Sequence, residues 1–191
     1  SGKYDSNKKI YTLKTKQSGN LAWQDEEIRA FQIPFKIGLL DSVGKDMRFS
    51  AQDSDTADID DTNGYSVVLD LNKQEQEFVL SNVTEKPLPS LLRGFSAPVK
   101  LNYAYSRDEL TFLMSNDSDS FNRWEAANRL ATQILLEIAD FVENETEIFI
   151  DERLIEAVGA NLRLALDEQK DVSYDKAMLA NMLTLPTEAY L

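Results

Sequence analysis

A chain of 191 residues, 42% of them hydrophobic, holds either one large domain or two small ones with buried cores. A net charge of −13 and a pI near 4.4 argue against binding the nucleic-acid backbone, which needs clustered lysine and arginine. No apolar run approaches the roughly 20 residues of a spanning helix, and the opening SGKYDSNKKI has no apolar signal core, so the chain is expected to be soluble, unsecreted and cytoplasmic.

Charge is unevenly placed. Residues 1–17 hold five lysines against one aspartate, a balance of +4, so the other 174 residues carry −17. Lysines on a strand edge guard against unwanted pairing. Ile10 to Gln17 alternates as a strand, and Ile33 to Leu40 reads as a second, closed by the turn Asp41-Ser42-Val43-Gly44. Met47 to Ser50 is expected to return as a short partner.

The stretch AQDSDTADIDDTNG, residues 51–64, has five aspartates and almost nothing apolar, the composition of a solvated loop. Tyr65 to Leu71 is the most β-branched run, with a turn at Lys73 to Gln76 and a return at Glu77 to Leu80. Between Thr84 and Val99, Pro87, Pro89, Gly94 and Pro98 exclude a helix and leave an extended crossover. The alternating run at 99–105 then predicts a last strand. Six or seven short strands at regular spacing indicate an immunoglobulin-like antiparallel β-sandwich over residues 4–105.

From residue 106 the period changes to that of helices. Ser106-Arg107-Asp108-Glu109 is a capping box ahead of Leu110, Leu113 and Met114. Asp119 or Ser120 caps a longer helix running to about Val142, with Phe121, Trp124, Ala127, Ala131, Ile134, Leu135, Ile138 and Phe141 on its apolar stripe. Asp151 caps a third helix with Leu154, Ile155, Val158, Leu162 and Ala165 inward. Ser173 caps a fourth, bearing Met178, Leu179, Met182 and Leu183, which Pro186 stops. Residues 106–191 thus predict an α-helical segment of superhelix or solenoid type.

Without histidine or cysteine the chain contains no His-Glu-x-x-His zinc pair, no Cys-His dyad and no Ser-His-Asp triad. Gly38 to Asp46 departs from a phosphate-binding loop in spacing and in placing Asp46 where a hydroxyl belongs. The aspartates Asp53, Asp55, Asp58, Asp60 and Asp61 fail the EF-hand frame at Ala57, Asp58 and Gly64. A looser calcium site there, on a free-standing sandwich that recognises a glycan or protein, is the alternative function. Arg93, in a proline-bounded run, is expected to pin the crossover to a carboxylate. Trp124 is expected in packing.

Gln76 to Val99, containing TEKPLPSLLRGFSAPV, and Asp117 to Ala126, DSDSFNRWEA, with Leu183-Thr184-Leu185-Pro186 following, closely resemble the bacterial aminopeptidase N family of gluzincin-type zinc aminopeptidases. The resemblance covers nearly the whole chain from about Tyr4 and departs most at 51–64. It implies an internal fragment holding the small β-sandwich and the start of the C-terminal helical domain of a parent hydrolase, a metalloprotease that removes N-terminal residues from peptides with zinc. The family's zinc ligands, its Gly-x-Met-Glu-Asn sequence and its catalytic tyrosine have no matching position here. The fragment is therefore expected to be non-catalytic, without cofactor or metal of its own, and to bridge the catalytic domain and helical cap. Arg93, Phe95, Phe121 and Trp124 are its structural inter-domain positions. Its partners are the other domains of its polypeptide, and a second copy through an apolar face formed by Leu179, Met182, Leu183 and Leu185.

Overall fold

The structure, a computed structural model, describes residues 1–18, 30–52, 64–149, 151–166 and 176–186. The chain divides into two compact units, Ser1–Tyr103 and Ala104–Leu191.

The first unit is built of two three-stranded antiparallel sheets. One has the order β1 (Gly2–Asp5), β2 (Ile10–Lys16), β5 (Glu75–Leu80), and the other β4 (Ser66–Leu71), β3 (Ile33–Leu40), β6 (Leu88–Leu91). Alternation decides which side chains enter the core. Along β2 and β5, Tyr11 pairs with Leu80 and Leu13 with Phe78, all four buried, while the intervening Lys14 pairs with Glu77 and Lys16 with Glu75. Those outward pairs close as ion pairs of 2.9 and 2.8 Å, and the Lys16 hydrogen bond holds the Glu75 carboxyl below its usual range. In β4 the run SVVLDL alternates in the same way, burying Val67, Leu69 and Leu71. β3 differs, since Ile37 to Leu40 are all buried. Both of its faces are therefore covered.

The strands expected at 10–17, 33–40 and 65–71 form. The expected strand at 99–105 does not, and β6 at Leu88–Leu91 lies beside β3 instead. Pro89 has no amide to donate, and an edge strand tolerates that loss. Exposure still alternates along 101–105, so the period-two pattern is present without a ladder. The short partner expected at Met47 to Ser50 is reduced to isolated bridges, Leu40 with Asp46 and Ser50 with Ser81. The expected return at Glu77 starts two residues earlier.

The second unit contains α1 (Arg107–Asn116), α2 (Ser120–Glu143), α3 (Glu152–Leu166) and α4 (Lys176–Met182). The capping box forms: Ser106 Oγ accepts from the Glu109 amide at 3.2 Å, and Glu109 Oε2 accepts from the Ser106 amide at 2.8 Å. Asp119 Oδ1 caps α2 by accepting from the Asn122 amide at 2.9 Å. Leu110, Leu113 and Met114 are the buried residues of α1, which packs against α2, where Asn122, Ala126, Ala127, Leu130, Ala131 and Ile134 are buried. The α2 stripe is thus centred on alanines and Leu130, and Phe121, Trp124, Leu135, Ile138 and Phe141 flank it half-buried.

In α3 the buried positions are Ala157 and Asn161, whereas Ile155, expected inward, is 63% exposed. Asn161 donates from its amide to the carbonyls of Met114 in α1 (3.1 Å) and Ala157 (2.9 Å), so a polar residue holds a buried position of α3, while Leu154, Val158, Leu162 and Ala165 stay half-buried. Leu179 and Met182, expected on an uncovered face, are buried, while Leu183 and Leu185 are exposed. The cap expected at Ser173 lies outside the described residues. Among the described residues no helix is long and apolar enough to cross a membrane.

Candidate functional site

Arg93 lies on the face of the second sheet turned away from the sandwich core. The residue is 3% exposed and, among the described residues, its guanidinium donates from three different nitrogens: Nε to Ser90 Oγ at 2.8 Å, Nη1 to Ser66 Oγ at 3.0 Å, and Nη2 to Asp46 Oδ1 at 2.6 Å. Register explains the arrangement. Gly38 of β3 stands opposite Ser66 of β4 on one side and Ser90 of β6 on the other, so three small residues form a trough across three strands. A Cβ at Gly38 would overlap the guanidinium carbon. Asp46, held by its bridge to Leu40, closes the trough with a carboxylate. The arginine thus pins the crossover to a carboxylate.

Reaching the trough requires a sharp turn. Leu92 is left-handed (φ 60°), as are Gly94 (φ 61°) and Phe95 (φ 51°), and the two L-residues each cost about 1–2 kcal/mol there. The turn is held below by Arg93 and beside by Ser96 Oγ, which accepts from the Lys36 amide at 2.9 Å. Phe95 is left 49% exposed.

Phe121 and Trp124 sit one turn apart on α2, with ring centroids 5.5 Å apart and planes tilted by 50°. Trp124 lines a small cavity of about 80 Å³ with Ala127 and Ala131 of α2, Leu154 and Val158 of α3, and Met182 of α4. It performs packing within the helical unit.

The helical unit also contains an ionic cluster that the sequence does not reveal. Asp151, just ahead of α3, accepts from the Arg153 amide (3.1 Å) and from Arg153 Nε (2.8 Å), while its other oxygen accepts from Arg107 Nη1 (3.0 Å). Arg107 also reaches Glu137 of α2 (2.7 Å), and Arg153 reaches Asp108 of α1 (2.7 Å). The Arg153 hydrogen bond, opposed by desolvation and assisted by Arg107, lowers the Asp151 carboxyl to about 2. Arg153 is raised in turn, first by its bond to Asp151 and then by that to Asp108. Its bonded members lie up to 45 residues apart, so only the helix packing brings them together.

A groove of about 1510 Å³ opens at one end of the sandwich between Leu13 and Gln76 of one sheet and Phe35 and Leu71 of the other. Gln17 bridges its rim, donating from Nε2 to the Phe31 carbonyl at 2.8 Å and accepting the Phe31 amide at Oε1 at 2.9 Å. The loose calcium site considered at Asp53 to Asp61 lies outside the described residues. Zinc finds no fit here: the chain supplies no imidazole and no thiolate, and among the described residues no three carboxylates gather in metal-binding geometry.

Comparison with known proteins supplies the context. Residues 1–104 match the domain of unknown function DUF3458, described as an Ig-like fold, and residues 107–191 match DUF3458_C, described as ARM repeats. Aminopeptidase N of Escherichia coli K12 is 35% identical over 96% of this chain, and aminopeptidase N of Haemophilus influenzae 29% over 97%. Each match takes in 19% of the relative, so the chain spans about one fifth of their length. Among solved structures, Legionella pneumophila aminopeptidase A in complex with aspartic acid superposes with a TM-score of 0.69 at 31% identity, over 98% of this chain and 18% of that one. The chain belongs to the DUF3458 family, an Ig-like domain followed by DUF3458_C ARM repeats, and is homologous to a segment of aminopeptidase N.

Proposed function

We propose that this chain is a non-catalytic scaffold of a zinc-dependent aminopeptidase acting on peptides in the cytoplasm. In this reading the sandwich at 4–105 props the helical segment beginning at 106 against a catalytic portion elsewhere in the same polypeptide. Zinc and substrate are held by that portion. One observation carries the reading: nearly all of this chain aligns with about one fifth of aminopeptidase N, and that fifth, as represented here, has neither histidine nor cysteine. A zinc hydrolase needs nitrogen, sulfur or carboxylate ligands and an open coordination position for water.

Arg93, Phe95, Phe121 and Trp124 take unequal parts. Arg93 acts indirectly, by holding the turn that presents Phe95, and Phe95 is the residue offered to another domain. Phe121 and Trp124 stiffen α2. The exposed Ile155, Leu166, Leu183 and Leu185 favour pairing of the isolated chain with a second copy. Incubating the purified chain with zinc and an aminoacyl reporter amide tests the non-catalytic role. Background hydrolysis is expected, and turnover abolished by a chelator would refute it.

A further inference from the structure

We propose that the trough formed by Ser66, Gly38 and Ser90 with Asp46 is a built guanidinium-binding site, whose ligand Arg93 supplies in cis to latch the crossover turn onto the sheet. Three acceptors on three elements each meet a different nitrogen of one planar cation. Such a fork matches a guanidinium and not an ammonium, whose three donors point tetrahedrally from one atom. Gly38 supplies the floor, because a Cβ there would occupy the volume of the guanidinium itself. The charge is met by Asp46, which lies 47 residues away in sequence and is anchored by its own bridge to β3.

The latch acts on a turn that does not favour its own conformation. Leu92 and Phe95 both sit in the left-handed region, so without a ligand in the trough the turn relaxes towards ordinary backbone angles. The Ser96 bond to the Lys36 amide then loses its alignment, and Phe95 loses its fixed presentation. The site is thus a receptor filled by its own chain, and emptying it makes it available to a small guanidinium from solution.

The test is chemical rescue in the full 191-residue chain, read by calorimetry. Arg93→Ala should lower the melting midpoint of the sandwich by about 10 °C, the scale expected when three hydrogen bonds from a buried cation, one of them to the half-buried Asp46, are removed. Methylguanidinium at tenfold excess over its Kd should then restore most of that loss, about 6–10 °C, and saturate. Methylammonium at the same concentration should restore nothing, and Asp46→Asn in the same variant should remove the rescue. Should Arg93→Ala fail to fold alone, refolding yield with each cation gives the same comparison. Equal effects of the two cations on midpoint or yield, or rescue that persists without Asp46, would overturn the proposal.

Discussion

Arg93 shows how much of a residue's role its sequence neighbours disclose. A lone arginine between Leu92 and Gly94 in a proline-bounded run foretells a buried ion pair, and Asp46 provides the carboxylate. The serine pair and the glycine of the trough were illegible, because Ser66, Gly38 and Ser90 become neighbours only once the strand register is known. Lys9 offers a simpler residue-scale test. It ends the turn between β1 and β2 with φ 52° and is exposed, so it carries a left-handed cost without packing to offset it. Lys9→Gly should stabilise the sandwich by about 0.5–1 kcal/mol, the gain from removing that Cβ clash less the added freedom of the unfolded chain. A lower midpoint in urea unfolding would contradict it.

Among elements, those with a strong local signal were legible and those decided by partners were not. β3, with its long apolar run, and α1, with its reciprocal cap, appear where their residues alone place them. β1 is four residues long and exists because it pairs with β2, and residues 99–105 have strand periodicity without a strand to pair with. In α3 the expected inward residues are half-buried except the exposed Ile155, and the buried Asn161 was not legible, because one of its acceptors lies in α1. The ionic cluster ties α3 to α1 and α2, so α3 docking depends on the Asp151 charge. The carboxyl falls from its ordinary 3.8 to about 2 in the folded state, so the unfolded chain binds the proton more readily. Its contribution is therefore present above pH 3.8 and lost as the pH drops towards about 2. Asp151→Asn should cost the helical unit about 1–2 kcal/mol near neutral pH and flatten its stability between pH 4 and 2. Parallel acid titrations by far-ultraviolet circular dichroism check this, and identical acid slopes would exclude the cluster as the cause.

At the scale of the whole molecule, the change from alternating to helical periodicity near residue 106 showed an all-β part joined to a helical one, and the absence of histidine and cysteine removed most catalytic chemistries before any fold was known. The homology to a segment of aminopeptidase N was visible only through resemblance, because no physical property of these two units names what they adjoin. The exposed leucines and isoleucine of α3 and of the segment after α4 lead to a prediction about the chain alone. Its sedimentation coefficient should rise with concentration, and Leu183→Ser with Leu185→Ser should abolish the rise. Concentration-independent monomers of the unaltered chain would count against pairing through this face.

Antibodies raised against this 21.7 kDa chain, used on extracts of its source cells, would report the size of the native species and any aminopeptidase activity captured with it. One polypeptide about five times as long is expected, as the 19% coverage of aminopeptidase N implies, with activity lost on chelation and restored by zinc. A native species of about the chain's own mass, with no peptidase activity attached, would contradict it.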